Sequence, residues 1–490
     1  MKKTVLALSL ALSFTACGNG EKSPPASGPA SANPMSSDAP MTSDAPMTSD
    51  APMTAGPPTV PAIALDNQTE KARTLIDRLE ARDYDKVLAE FDSQMAKLMD
   101  KNKLTAAWEQ LVSHTGKLKR QVSAQREVKG HYQMISTLCE FEKAYLTIKM
   151  TFNKDGQLSG LFFAPAEQPG VATVPTYVQA DRYTEENVTF GEAPYVLPGV
   201  LCLPKGDGRS PAAVLVHGSG PNDRDETIGP NKPFRDLAHG LCSAGVAVLR
   251  YDKRTKVHAG MVLKDVKNLT LETETSEDAK RAVGFLQGHQ RVQADRVYVI
   301  GHSQGAMAAP GIARDLPGLA GIVLLAGNAR PLEELILEQV TFLSKLDGIV
   351  SLEEKLALDK IEAGVKKVRD PRLTPETPSD QLPLGMPAPY WIHLKGYDPV
   401  AVARNLKLPI LILQDERDYQ VTLAEDFARW KKELGSAPNV RMQAFPELNH
   451  LFMKGDGTPG PSEYMKPGHV AAEVVEAILA FLRGPAGGGK

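Results

Sequence analysis

The chain has 490 residues, of which 42% are hydrophobic and 23% charged, with a formal net charge of -3. That length gives about two or three domains with ample core. The near-neutral balance excludes an electrostatic grip on nucleic acid or on an anionic membrane surface, and four cysteines are too few for a disulfide framework.

Lys2 and Lys3 precede an apolar run at 5–14, too short to span a bilayer and of secretory length. The run ends in Phe14-Thr15-Ala16-Cys17, which resembles a bacterial lipoprotein signal: residues 1–16 are removed and Cys17 is lipidated. More than one acyl chain on Cys17 would anchor the protein stably, whereas a single chain binds only marginally. Residues 17–62 are rich in Pro, Ser and Ala, with Ser-Asp-Ala-Pro-Met-Thr in tandem at 37–42, 43–48 and 49–54. This composition cannot bury a core and reads as a tether reaching about 35–40 Å. The expected location is therefore outside the cytoplasm, on a lipid anchor.

Residues 65–165 read as a small α+β domain. Ala72, Leu75, Ile76 and Leu79 have helical spacing, as do Leu104, Ala107, Trp108, Leu111 and Val112, with a short helix around 87–91 between them. The period then changes to alternation at 145–152, a turn at Asp155-Gly156, and a return at 158–163. No cluster of His, Cys or carboxylates marks a site here. Cys139, Cys202 and Cys242 read as buried free thiols.

From 183 to 485 strand and helix patterns alternate. Apolar strands are expected at 211–216, 245–250, 297–300, 322–325, 409–413 and 440–445. Helices are expected at 234–244 and through 286, the latter capped by Thr275 or Ser276. Continuous apolar strands with helices between them argue a mainly parallel sheet covered on both faces, with ligands at the carboxyl ends of the strands.

Each candidate catalytic residue follows one of these strands. Gly301-His302-Ser303-Gln304-Gly305 sits between a β-branched run and a small-residue helix, the context of a nucleophile elbow. The glycines allow the tight turn that lifts the Ser303 hydroxyl clear of the sheet. An oxyanion needs two preorganised N–H donors. Gln304 offers one, and the loop His217-Gly218-Ser219-Gly220-Pro221 offers the other at Ser219, with Gly220 as the alternative; Pro221 has no N–H. His217 reads as structural. Asp418 in Gln414-Asp415-Glu416-Arg417-Asp418 is the expected acid, with Asp415 the runner-up. His450 is the base, reached after one helix and one strand. The order Ser303, Asp418, His450 is that of α/β-hydrolases. His469, near the last helix, reads as solvated or as a cap.

The run His217-Gly-Ser-Gly-Pro-Asn-Asp-Arg-Asp-Glu-Thr-Ile-Gly-Pro-Asn-Lys-Pro-Phe-Arg-Asp, followed by Arg250-Tyr251-Asp252-Lys253-Arg254, resembles a bacterial family of α/β-hydrolase carboxylesterases with a small N-terminal domain of unknown function. The resemblance covers about 65–485. It implies hydrolysis of short acyl esters by Ser303, Asp418 and His450 without metal or cofactor. It also suggests that Arg224, Asp225 and Arg254 buttress the oxyanion loop. Asp415 departs from the family's more usual Gly, and Asp tolerates the left-handed backbone such a turn would need. The pause in strand alternation at 331–405, with helices at 332–346 and 352–368, resembles a cap that sets substrate access, with Tyr390 and Trp391 facing the acyl pocket or the cap's own core. The alternatives to a carboxylesterase are a thioesterase or serine peptidase on the same fold, and a catalytically silent surface binding protein. No sequence feature indicates the oligomeric state.

Overall fold

The computed structural model describes residues 67–129, 131–166 and 174–484. The expected signal segment, Cys17 and the 17–62 tether lie outside the described residues. No helix among the described residues is long and apolar enough to cross a membrane.

The N-terminal unit follows from two periodicities. Helix Asn67–Glu80 puts Ala72, Leu75, Ile76 and Leu79 on one side, all fully buried. They join Trp108 of helix Lys101–Thr115 in one core against an antiparallel sheet. Its strands β1 (Leu118–Lys129), β2 (Tyr132–Phe141), β3 (Tyr145–Phe152) and β4 (Leu158–Ala166) lie in chain order. On β3 the alternate residues Leu146, Ile148, Met150 and Phe152 face that core. The β3–β4 turn places Gly156 at φ 73, where a side chain would be strained. A further helix, Ser93–Leu98, has no strong periodicity. It is set by Asp92, whose carboxylate accepts the N–H groups of Gln94 and Met95.

The second unit is built on an eight-stranded sheet. Its strands are β5 (Tyr183–Phe190), β6 (Leu197–Pro204), β7 (Ser210–Val216), β8 (Ala247–Tyr251), β9 (Val292–His302), β10 (Gly321–Leu325), β11 (Ile410–Asp415) and β12 (Val440–Phe445). Across the sheet they run β12-β11-β10-β9-β7-β8-β6-β5. The pairs from β8 to β12 are parallel, and β6 is antiparallel to both β5 and β8. The β5–β6 hairpin carries polar, exposed residues on its outer strand, which is why no apolar run announces it.

The central strands read as unbroken apolar runs because both faces are covered. Val214 and Val216 enter one core while Leu215 enters the other, and the same division separates Ile322 and Leu324 from Val323 and Leu325. Helices Glu277–Gly288 and Gln304–Asp315 cover the first face. Helices Pro233–Ser243 and Ala472–Leu482 cover the second. Strand order reverses between β7 and β9, so the loops leaving these two strands diverge and open a crevice at the carboxyl edge.

The segment between β10 and β11 is helical, as expected of a cap, with helices Leu332–Ser344, Leu352–Arg369, Ala388–Lys395 and Pro399–Asn405. Ser351 and Glu354 form a capping box at the start of the second. One expectation fails. Thr275 and Ser276 do not cap the helix through Leu286; they lie in a π-helical turn, Glu272–Ser276, continuous with it. Thr270 and Thr273 exchange side-chain hydrogen bonds one turn earlier instead. The wide turn carries Glu274 inward, and such π-turns are frequent at functional sites.

Candidate active site

The serine turn is shaped by contacts that tolerate no side chain on its glycines. A Cβ on Gly301 would lie 2.3 Å from the Gly305 carbonyl oxygen, and one on Gly305 would lie 2.1 Å from that of Val216. Between them Ser303 takes φ 54 and ψ -117, a backbone costing about 1–3 kcal/mol for a non-glycine residue. Its N–H donates to the Leu325 carbonyl at 2.8 Å, which fixes the turn to β10. Gln304 is the first residue of helix Gln304–Asp315, so its amide is one of those with no partner inside the helix. The positive end of the helix dipole lies there.

The loop after β7 packs directly on the serine: a Cβ on Gly218 would lie 3.2 Å from Ser303 Cβ. Asn222 Nδ2 donates to the carbonyls of Gly218 at 3.2 Å and Ser219 at 3.0 Å. Ser219 itself is exposed. His217 is buried, with Nε2 3.0 Å from the Asp223 carbonyl, in keeping with a structural role; burial lowers its pKa to about 4.

Arg224, Asp225 and Arg254 do not hydrogen-bond the 217–221 backbone among the described residues. Arg224 pairs with Asp252 at 2.7 Å, Asp225 with Arg250 at 2.8 Å, and Arg254 with Asp278 at 2.5 Å. The direct contact is made by their neighbour Lys253. Its fully buried Nζ donates to the Gly218 carbonyl at 2.9 Å and to Glu274 Oε1 at 2.8 Å, and lies 3.3 Å from Gln304 Oε1. A buried lysine is exceptional unless paired, but neither Lys253 nor Glu274 carries a sequence signal that distinguishes it from surface charge.

The structure brings together the two residues expected as acid and base. His450 Nδ1 lies 2.7 Å from Asp418 Oδ2, and both residues are buried. Asp418 Oδ1 accepts the N–H groups of Gln420 at 2.7 Å and Val421 at 3.1 Å, which orients the carboxylate toward the ring. Asp415 lies behind. It ends β11 in paired, extended backbone opposite Phe445, so no left-handed turn is required of it. Its Oδ1 accepts from Gln414 Nε2 at 2.8 Å. Burial, reinforced by the Asp418 charge, raises its pKa well above the usual carboxylate range. Asp415, Asp418 and His450 are also the one group among the described residues whose ligand atoms lie close enough to share a metal. The direct His450–Asp418 contact already occupies two of those three groups.

His469 is half-buried, with its Nδ1 2.9 Å from the buried Asp236. Tyr390 and Trp391 of helix Ala388–Lys395 are both buried, Trp391 within the core between cap and sheet. Tyr390, in the same core, also reaches the site residues: its hydroxyl lies 3.1 Å from Glu274 Oε2 and 2.5 Å from Gln304 Nε2. Burial, with Glu274 adjacent, keeps this phenol protonated.

A doubly covered, mainly parallel sheet with a strained serine turn at its strand-order reversal is the frame of a large class of hydrolases. The chain belongs to the α/β-hydrolase family. The description "Alpha/beta hydrolase family" matches residues 213–457, and residues 72–161 match a protein family of unknown function, DUF3887. Esterase EstD of Thermotoga maritima is 36% identical over 414 residues, 84% of this chain and 95% of that protein. Among solved structures, Est1E from Butyrivibrio proteoclasticus aligns with a TM-score of 0.40 at 15% identity, over 61% of this chain and 99% of that one. The Pyrococcus furiosus esterase Pf2001 aligns with a TM-score of 0.38 at 16% identity, over 65% and 97%.

Proposed function

We propose that the chain is a carboxylesterase-type serine hydrolase that cleaves short acyl esters through an acyl-enzyme. His450 takes the proton of the Ser303 hydroxyl as its oxygen attacks the ester carbonyl. Asp418 holds the imidazole in the tautomer that accepts at Nε2 and stabilises the imidazolium that forms. The N–H groups of Ser219 and Gln304 hold the developing oxyanion. The proton passes from His450 to the leaving alkoxide, and water then clears the acyl group by the same route. The observation that carries this reading is the 2.7 Å His450–Asp418 pair at the sheet edge where Ser303 is held in its strained turn. The long match to an esterase supports the substrate class.

The test is hydrolysis of p-nitrophenyl esters of increasing acyl length, with Ser303→Ala as control. Serine-dependent turnover with a short-chain optimum is the expected result. No turnover on any ester would move the substrate class to amides or peptides.

Attachment to a membrane through Cys17 belongs to the same proposal and rests on the 1–17 segment and the tether composition. Cys17→Ser should release the protein into the soluble fraction, and unchanged fractionation would remove the anchor.

A further inference from the structure

Behind the serine turn, Glu226 and His302 form a buried chain that ends on the backbone of His450. Glu226 Oε1 accepts the Gly218 N–H at 2.6 Å. Glu226 Oε2 lies 2.9 Å from His302 Nδ1, and His302 Nε2 lies 2.8 Å from the His450 carbonyl oxygen. Exposure is 1% at Glu226, 4% at His302 and 3% at His450, so solvent does not take part. A carboxylate and a carbonyl can only accept. His302 Nε2 therefore carries a proton, and Nδ1, which makes no directed hydrogen bond, faces the Glu226 carboxylate at ion-pair distance, a placement that favours the charged ring.

The electrostatics agree with that geometry. Burial alone would push the His302 ring toward neutrality, but the Glu226 carboxylate, the His450 carbonyl and the Asp418 charge outweigh it and raise its pKa. Burial pushes the Glu226 carboxyl up, yet His302, His217 and the Gly218 N–H hold it below the usual range. The charged and titratable groups facing His302 are Glu226, with His217 beyond it, from the loop after β7. From the loops after β12 and β11 come His450, its ring centroid 4.7 Å away, and Asp418. Phe234 and Phe452 add uncharged rings at 6.5 Å and 6.4 Å. Glu226 sits at φ 50, and a non-glycine residue stays in that strained region only where its surroundings over-determine it.

We propose that Glu226 and His302 are positioning residues: a buried carboxylate–imidazolium pair that ties the oxyanion loop, the serine turn and the His450 loop into one unit. The proposal rests on the reading of Ser303 and His450 as nucleophile and base. It accounts for two requirements of that reaction. The distance between the oxyanion donors and the imidazole is held by a three-point link rather than by loop packing alone. The positive charge on His302 is matched by Glu226, so a second positive charge can form on His450 during proton transfer without opposition from an unpaired neighbour. A neutral His302 keeps Nε2–H for the His450 carbonyl but loses its charge attraction to Glu226, so its deprotonation loosens one end of the link.

The experiment measures kcat and KM for p-nitrophenyl acetate across pH in the full chain, Glu226→Gln, Glu226→Asp, His302→Gln and Ser303→Ala. Glu226→Gln keeps an acceptor for Gly218 but removes the charge, so burial wins and the ring loses its proton earlier. Expected is a roughly 10- to 100-fold fall in kcat with KM changed less than about threefold. The alkaline limb of the kcat profile should begin about one pH unit or more lower. Glu226→Asp keeps the charge but withdraws it by one methylene, and should move the limb the same way by less; it serves alone if Glu226→Gln does not fold. His302→Gln should lower kcat and lose the displaced limb. An alkaline limb unmoved in both Glu226 variants overturns the proposal, whatever happens to kcat, because a purely structural role would cost rate and stability without moving it. If Ser303→Ala is dead and the limbs do not move, this proposal alone fails; if Ser303→Ala remains active, the triad reading fails first.

Discussion

The Tyr390 hydroxyl lies 3.1 Å from Glu274 Oε2, so a cap helix and the floor of the site share one buried carboxylate. The other oxygen of Glu274 holds Lys253, which in turn holds the Gly218 carbonyl. Removing one member of a buried ion pair leaves the other charge uncompensated, at a cost of about 3–5 kcal/mol. Lys253→Met should therefore destabilise the chain by that order in urea unfolding and lower kcat. Lys253→Met combined with Glu274→Gln should be less destabilised than Lys253→Met alone. Tyr390→Phe should cost only about 1 kcal/mol, because Glu274 Oε2 keeps Gln304 Nε2 at 3.0 Å. A Lys253→Met protein as stable as the parent would show that this network carries little.

The serine turn should reject the smallest side chain. Gly301→Ala and Gly305→Ala each place a methyl within 2.3 Å of backbone oxygen, which cannot move without shifting β7 or the helix. Overpacking against backbone should cost at least about 3 kcal/mol and abolish activity. By contrast Gly220, at φ 94 with open space around its missing Cβ, should tolerate alanine at the smaller cost of left-handed backbone. Thermal melts of the three variants decide this, and equal losses would refute the steric argument.

The thiols offer a check on burial. Cys139, Cys202 and Cys242 are buried and free, and burial raises the Cys139 pKa to about 12. The thiolate is the reactive form, so none of the three should react with a thiol reagent in the native protein, and all three should react in denaturant. Labelling in the native state at any of them would mean that its sheet or helix opens locally.

What the sequence made legible follows from where the chemistry is local. Gly301 through Gly305, and His450 placed one helix and one strand after Asp418, are fixed by chain-local geometry and by strand order, so their neighbourhoods could be read in advance. Lys253, Glu274, Glu226 and His302 could not be read. Each belongs to a pairing across 21 to 76 residues of chain, and a buried charge looks like a surface charge until its partner is known. His302 lay inside the serine motif itself, but the motif constrains only the glycines and the serine; the ring's role is set by Glu226, which arrives from another loop. The outer strand β5 was unmarked for a related reason, since an edge strand half in solvent has no apolar run. Arg224, Asp225 and Arg254 proved to be paired with other charges, while the lysine beside Arg254 touches the loop.

Asp415 and Asp418 are separated by two residues and by opposite electrostatic situations, and this gives the sharpest prediction. Asp418 is bonded to His450 and to two backbone N–H groups, whereas Asp415 is buried beside it with a strongly raised pKa. Asp418→Asn should lower kcat by roughly 10³–10⁴-fold, because the amide no longer fixes the His450 tautomer. Asp415→Asn replaces an acid that is already neutral by a neutral amide of the same shape, and should leave kcat within about threefold. Stability carries the complementary signature. A raised folded pKa means that the native state holds this proton more tightly than the unfolded chain, so its stabilising share is complete below about pH 4 and is lost as pH rises toward the folded value. Asp415→Asn removes that dependence. Its melting temperature should match the parent near pH 4 and exceed it at neutral pH. A variant that is less stable than the parent at neutral pH, or that loses activity as Asp418→Asn does, would assign Asp415 a charged role.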